Sequence, residues 1–167
     1  TLQKYLLGLV KELPESYAQN TIKYTQATQP SATTTTTVPA AVNKTIISNS
    51  FDSGLQNWSA RGEATVELNS DSSYSGKSLM VSGRTMEWHG ALLDVSSELE
   101  VGKTYSFSAA VLQQSGNAAD IQLSLQQGDG SDAVYTSIAK VNAKSGEWTK
   151  LENTSFTVPD NAGDMML

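Results

Sequence analysis

The segment from Thr104 to Leu112 reads Thr-Tyr-Ser-Phe-Ser-Ala-Ala-Val-Leu and has the clearest structural pattern in the chain. Its apolar residues recur at every second position, which places Tyr105, Phe107, Ala109 and Val111 on one face of a β-strand. A strand with one apolar face must bury that face against a second layer. This segment therefore predicts a strand in the core of a layered β-structure.

The same alternation returns in Ile121, Leu123 and Leu125, and further strand-like segments follow one another between Gly, Asn, Asp and Ser clusters. Many short strands without a long helix predict an all-β chain, an antiparallel β-sandwich of the jelly-roll type. Met-Met-Leu at the end looks like the start of a further strand, so we expect the sandwich to lack its last strand. The nine predicted strands are Lys44–Ser48, Ala64–Asn69, Ser78–Ser82, Ala91–Val95, Thr104–Leu112, Ile121–Gln126, Val134–Asn142, Thr149–Glu152 and Ser155–Val158.

A mostly disordered N-terminal extension of two segments is expected to precede the predicted sandwich, which covers residues 43–167. Residues 1–25 form an N-terminal segment in which the apolar residues from Leu2 to Leu13 recur at helical spacing before Pro14. This spacing fits a short amphipathic helix, and the alternatives are a marginal helix or the remainder of a preceding domain. Residues 26–42 are rich in Thr and Pro and have few apolar side chains to bury, which predicts a disordered interdomain linker.

Composition narrows the possible partners. The formal net charge is −6, and the chain contains no cysteine. An acidic chain without a basic patch is a poor ligand for nucleic acid or an anionic membrane, since both carry negative charge. No apolar run approaches the length that spans a bilayer. The acidic charge therefore favours a neutral partner. The absence of cysteine excludes disulfides and thiolate metal sites.

The order of several motifs resembles the family 22 carbohydrate-binding modules, the xylan-binding units attached to many family 10 xylanases. The resemblance covers about residues 46–167. The motifs are Phe-Asp-Ser-Gly-Leu-Gln-Asn-Trp-Ser-Ala-Arg-Gly at 51–62, Tyr-Ser-Gly-Lys-Ser-Leu-Met-Val-Ser-Gly-Arg-Thr at 74–85, Trp-His-Gly-Ala-Leu-Leu-Asp-Val at 88–95, Val-Gly-Lys-Thr-Tyr-Ser-Phe-Ser-Ala-Ala-Val at 101–111 and Gly-Glu-Trp-Thr-Lys-Leu-Glu at 146–152.

This resemblance implies a non-catalytic, extracellular module with a shallow cleft across one sheet face. The implied ligand is β-1,4-xylan or mixed-linkage β-glucan, and the implied partner is a covalently linked glycoside hydrolase. By the same resemblance, the rings of Trp88 and Tyr135 clamp a sugar from opposite sides, and Arg61 binds its hydroxyls. The polar neighbours of Trp88 indicate an exposed ring, whereas the residues around Tyr135 fit a core position equally well.

The remaining aromatic and charged candidates receive other interpretations. Trp58 and Trp148 lie at strand edges beside apolar positions, which predicts that both are core residues. Arg84, Glu87 and His89 flank Trp88, and we expect them to be solvated residues at its rim.

On the strand Ile121–Gln126, the residues that alternate with the apolar ones are Gln122, Ser124 and Gln126. Only the two glutamines have the reach to touch a bound sugar. A plain solvated face explains all three side chains better than contact with a sugar does.

A structural calcium ion is common in sandwiches of this kind, and Asp52 is the best single ligand candidate. Its alternative role is to cap a turn. No other acidic residue can be paired with it from the sequence.

Two alternatives to a binding module stay open, a jelly-roll glycanase or polysaccharide lyase and a structural spacer sandwich without ligand. Hydrolysis of a glycoside needs two carboxylates on either side of the scissile bond. The single histidine, His89, gives no zinc cluster and has no serine hydrolase motif beside it. The scattered candidate acids are Glu63, Glu67, Glu87, Asp94, Glu98 and Glu147.

Overall fold

A computed structural model of the chain describes residues 44–167 with their side chains and residues 4–12 as backbone. These residues form eleven strands and a single 3₁₀ turn at Gly130–Asp132, with no α-helix among them, so the all-β prediction is confirmed. No helix within this part of the chain could cross a bilayer. The strands are β1 Lys4–Glu12, β2 Thr45–Ser48, β3 Ser59–Arg61, β4 Thr65–Asn69, β5 Ser78–Ser82, β6 Gly90–Leu92, β7 Thr104–Gln113, β8 Ala119–Gln127, β9 Val134–Ala143, β10 Thr149–Thr157 and β11 Met165–Met166.

The strands form two antiparallel layers. The first layer, the larger sheet, has the order β10-β7-β1-β5-β4, with β2 also paired to β1. The second layer combines the sheet β11-β8-β9 with the ribbon β3-β6. Backbone hydrogen bonds between Leu93 and Leu167, at 3.1 and 2.9 Å, join the ribbon to the end of β11. We call this second layer the composite sheet.

The core lies between these two layers and follows the predicted alternation. Tyr105, Phe107, Ala109 and Val111 on β7 are all buried, as predicted. Phe107 meets Phe156 of β10 edge to face, with ring centroids 5.7 Å apart. Such aromatic pairs add about 0.5–1.5 kcal/mol beyond the burial of their area.

Each predicted strand overlaps an observed one, but several bounds differ, and the strand predicted at Ala91–Val95 is the shorter β6 at Gly90–Leu92. Residues 149–152 and 155–158, predicted as two strands, lie largely within β10, which is continuous and shifts its register against β7 between Asn153 and Phe156. β9 has an irregularity opposite Leu123 and Ser124 of β8. The strand predicted at Met-Met-Leu is β11, which pairs with β8.

The helix predicted within Leu2–Leu13 is wrong, because the described residues Lys4–Glu12 form strand β1. β1 pairs with β7 over nine positions, from Lys4–Gln113 to Glu12–Tyr105, and with β5 and β2 along its other edge. An isolated helix of about 12 residues is marginal in water, and Gly8 costs it about 1 kcal/mol more. Pairing along both edges of a strand satisfies the same backbone groups more fully. The linker predicted at residues 26–42 lies outside the described residues.

Two fully buried glutamines hold the ends of the core strands. At the end of β7, the Gln113 amide nitrogen donates to the carbonyls of Asn117 (2.7 Å) and Ala143 (2.9 Å), and its oxygen accepts from Ser115. At the end of β8, the amide nitrogen of Gln127 donates to the carbonyl of Pro159. Buried amides with all partners present fix loop geometry.

Replacing Gln113 with Leu keeps the volume but leaves buried backbone groups without a partner. We expect Gln113→Leu to lower the free energy of unfolding in urea by about 3 kcal/mol. The matched control Gln122→Leu removes an exposed amide and should change it by less than about 0.5 kcal/mol. Equal effects of the two variants would contradict this account of the loop ends.

Candidate functional site

A row of side chains crosses the outer face of the composite sheet. Asp94 bridges Met166, Met166 pairs with Gln126, and Gln126 pairs with Tyr135 of β9. Residues directly opposite each other in an antiparallel ladder point to the same side of the sheet. Leu125, next to Gln126, is fully buried, so this row lies on the solvent side. We call this surface the candidate face.

Arg61 and Tyr135 meet on the candidate face, although they are far apart in sequence. Arg61 ends β3, where it pairs with Gly90 of β6, and its guanidinium carbon lies 4.9 Å from the centroid of the Tyr135 ring. A cation over an aromatic face is an attractive pair. The Tyr135 side chain is 54% exposed, so it is a surface residue and not a core residue.

Trp88 lies beside this pair and presents its ring to solvent, as predicted. Its side chain is 56% exposed and stands edge to face on His89, at 4.2 Å between centroids. Gly62, which follows Arg61, has a φ of +66° and lies against these rings, so that a Cβ there would be 2.8 Å from Cζ3 of Trp88. The structure therefore brings Trp88, Tyr135 and Arg61 into one neighbourhood.

The loop from Arg84 to His89 shows why Trp88 keeps this position. Arg84 is not a solvated rim residue, because its guanidinium donates to the backbone carbonyls of Glu87 and His89. Burial lowers the pKa of Arg84, and the charge of Glu87 partly offsets that effect. Arginine nonetheless stays protonated in proteins. Arg84 thus holds the carbonyls on either side of Trp88.

His89 was predicted at the rim but is only 4% exposed. Its Nδ1 accepts a hydrogen bond from the Thr85 backbone amide at 3.4 Å, and the Thr85 hydroxyl donates to Glu63 at 3.2 Å. The missing Cβ of Gly62 leaves the space that the imidazole occupies. Glu87 is exposed, as predicted.

The two other tryptophans differ from each other. Trp58 is a core residue as predicted, 5% exposed, and its indole N–H donates to Asn49 at 3.2 Å. Trp148 is only partly buried and packs edge to face with Tyr74, with 5.9 Å between ring centroids. The prediction that Trp148 belongs to the core is therefore wrong, because its neighbour is an exposed loop residue.

Gln122, Ser124 and Gln126 point outward from β8, as the alternation predicts. The amide nitrogen of Gln122 donates to the Ser124 hydroxyl at 2.8 Å, and that of Gln126 donates to the Gly128 carbonyl at 2.9 Å. These bonds fix both amides on the candidate face, with their oxygens available as acceptors.

Asp94 is a member of the candidate face that the sequence interpretation grouped only with scattered acids. It accepts hydrogen bonds from the Ser96 amide at 2.9 Å and the Ser96 hydroxyl at 2.7 Å, and these bonds lower the pKa of Asp94. The Ser96 hydroxyl oxygen in turn accepts from the Met165 amide at 2.9 Å. The outward position of Asp94 could have been inferred from its place between the buried Leu93 and Val95.

Calcium at Asp52 stays a prediction. Asp52 lies exposed in the turn after Phe51, with its carboxyl carbon 2.9 Å from where a Cβ of Gly76 would be. Within residues 44–167, no group of three or more His, Asp or Glu side chains is arranged to hold a metal ion. Calcium prefers six to eight oxygen ligands, so the Asp52 carboxylate does not by itself make a site.

Gly62 can be tested as the residue that seats the Trp88 ring. We expect Gly62→Ala to shift the Trp88 indole N–H resonance, because the added Cβ overlaps the His89 and Trp88 rings. The matched control is Gly102→Ala, which has a similar φ of +77° and an open environment. Both variants strain the backbone, so a Trp88 shift of equal size in both would contradict this role.

The Asp94 hydrogen bonds predict a pH dependence of stability. Because folding lowers the pKa of Asp94, its contribution is complete above the unfolded aspartate value of about 4 and declines below it. The melting temperature of the wild type should therefore fall toward that of Asp94→Asn as the pH drops from about 6 to 3. A constant difference between the two melting curves would contradict the prediction.

Comparison with known proteins identifies relatives of this fold and site. The profile of a family described as "Carbohydrate binding domain" matches residues 43–167. The C-terminal family 22 carbohydrate binding module of Clostridium thermocellum Xyn10B is 30% identical, with a TM-score of 0.65 over 70% of this chain and 76% of that one. The CBM22-2 xylan-binding domain of Paenibacillus barcinonensis Xyn10C is 28% identical, with a TM-score of 0.63 over 70% of this chain and 77% of that one.

Among curated proteins, endo-1,4-beta-xylanase A of Thermotoga maritima is 38% identical over 119 residues. The alignment covers 70% of this chain and 11% of the xylanase. The xylanase/beta-glucanase of Ruminococcus flavefaciens is 38% identical over 125 residues, 72% of this chain and 15% of that protein. The chain thus spans a small part of the length of these relatives.

Proposed function

The chain belongs to family 22 of the carbohydrate-binding modules, and from this premise we propose that residues 43–167 bind xylan without cleaving it. The observation that carries the proposal is the exposed Trp88 ring beside the Tyr135–Arg61 pair. Large exposed aromatic side chains grouped on one surface are characteristic of binding sites. The related CBM22-2 module of Paenibacillus barcinonensis Xyn10C is a xylan-binding domain, and we extend that ligand to this chain.

The chemistry of the candidate face suits a neutral sugar. A pyranose has apolar CH faces and a rim of hydroxyls, and a site needs partners for both. The Trp88 and Tyr135 rings provide flat apolar surfaces that are already exposed. The guanidinium of Arg61 and the amide oxygens of Gln122 and Gln126 provide donors and acceptors for hydroxyls.

The acids near the candidate face support binding over hydrolysis. Glu63 accepts a hydrogen bond from Thr85, and Asp94 accepts from Ser96. A glycosidase needs two carboxylates facing each other across the substrate, one of them able to donate a proton. These two acids are instead engaged with their own neighbours, which favours a module without catalysis.

A module of this kind serves an attached enzyme. We infer that the parent protein is extracellular and carries a glycoside hydrolase domain, as the xylanase names of the relatives suggest. A shallow polar surface should bind with dissociation constants of about mM to µM, or roughly −4 to −8 kcal/mol. A tethered enzyme gains local substrate concentration even from such weak binding.

Affinity electrophoresis on soluble xylan tests this function. We expect the chain to be retarded, with Trp88→Ala weakening the affinity about tenfold or more, equivalent to about 1.4 kcal/mol. The matched control Met86→Ala removes an exposed apolar side chain from the same loop and should keep the retardation. A parallel gel with mixed-linkage β-glucan tests the second polymer.

The same samples separate the alternatives. Purified chain incubated with xylan should release no reducing ends. Release of reducing ends would favour a glycanase, unsaturated products would favour a lyase, and unretarded migration on both polymers would favour a spacer sandwich.

A further inference from the structure

A second groove lies on the opposite side of the molecule, on the outer face of the larger sheet. It has a volume of about 520 Å³ and runs between the end of β2, the middle of β7 and the start of β10. Ser108 and Ala110 point outward on β7 and line the groove together with the buried Ala109 between them. We call it the outer groove. Its volume lies within the range of sites for small ligands.

Two aromatic rings form one corner of the outer groove. Tyr74 is 65% exposed and meets the partly buried Trp148 at an interplanar angle of 62°. An edge-to-face pair leaves much of the Tyr74 ring open to a third partner. Tyr74 therefore presents an exposed aromatic ring on the larger sheet, as Trp88 does on the candidate face.

The loop that carries Tyr74 is held in place before any ligand arrives. The Asn69 side-chain oxygen accepts from the backbone amides of Asp71 (2.6 Å) and Ser72 (3.1 Å), and the Ser78 hydroxyl donates to the Ser72 carbonyl at 2.6 Å. Gly76, with a φ of +64°, packs directly on the Asp52 carboxylate. A fixed loop loses little entropy on binding.

The polar lining of the outer groove is mostly neutral hydroxyl. Ser48, Ser50, Ser75 and Thr149 lie around the aromatic corner. The ammonium of Lys150, which also lines the groove, is paired with Glu152. The described residues that line the groove therefore carry no unpaired charge, and a ring with hydroxyls around it suits a neutral polyhydroxylated ligand.

We propose that the outer groove is a second glycan-binding site, which takes a pyranose of a neutral β-linked chain against Tyr74. The inference rests on the proposed function for the class of ligand but uses none of the residues of the candidate face. The two sites lie on opposite sheets, so one module can hold two polysaccharide chains or two segments of a chain. Such bivalence raises the apparent affinity for a dense polymer above that for a short oligosaccharide.

The test is a titration of the full chain with xylohexaose, followed by the indole N–H resonances in NMR spectra. Trp88 reports on the candidate face and Trp148 on the outer groove, and each resonance is assigned by its loss in the Phe variant. We expect both to move, and we expect Trp148 to keep moving in Trp88→Ala at millimolar ligand. Tyr74→Ala should weaken the Trp148 response at least fivefold, and Tyr74→Phe, which keeps the ring, should retain it.

The possible outcomes separate this site from the proposed function. Movement of Trp88 alone, with Trp148 unchanged in a folded wild type, overturns the outer groove and leaves the candidate face standing. Movement of Trp148 alone supports the outer groove and argues against the candidate face. A Trp148 response that Tyr74→Ala leaves intact, in a variant with native spectral dispersion, also overturns the proposal.

Discussion

The candidate face depends on three backbone hydrogen bonds at the end of β11. Leu93 exchanges two of them with Leu167, and the Val95 amide donates the third to Met165 at 2.9 Å. They join the ribbon that carries Arg61 to the sheet that carries Tyr135. Without them, the ribbon β3-β6 and the sheet β11-β8-β9 would not be held in a fixed position relative to each other. The Ser96 hydroxyl, bound to both Asp94 and Met165, supports the same junction.

Exposed aromatic rings are held in this protein by hydrogen bonds and close contacts within their own loops. Trp88 keeps its orientation because Arg84 fixes the carbonyls around it and His89 fills the space above Gly62. Tyr74 depends in the same way on Asn69 and Gly76. In each case the side chains around the exposed ring are already fixed in the free protein. Less conformational entropy is therefore lost when a ligand binds.

The sequence predicts the layers of this fold well because alternation with period two reports directly which face of a strand is buried. It predicts Trp88 as exposed from polar neighbours alone, and the structure agrees. The failures concern residues whose environment is set by distant segments. His89 is buried because Gly62 makes room for it, and Trp148 is only partly buried because its neighbour is the exposed Tyr74.

The N-terminal strand shows the same limit for backbone structure. Helical spacing is a local property of the sequence. The folded sheet offers β1 a position between β5 and β7 with a partner along each edge, and the local pattern does not report that position. Three-residue β3 was not predicted because so short a segment carries too few alternations to be recognised.

The position of β1 has a practical consequence for where the module is cut. The family match begins at residue 43, yet β1 lies between β5 and β7, inside the sheet. A fragment trimmed to the matched range would lack β1. The edge of β7 that pairs with β1 over nine positions would then have unpaired backbone amides and carbonyls. Unpaired strand edges of this kind pair with strands of other molecules. Trimmed fragments would therefore tend to aggregate at the concentrations used in crystallisation.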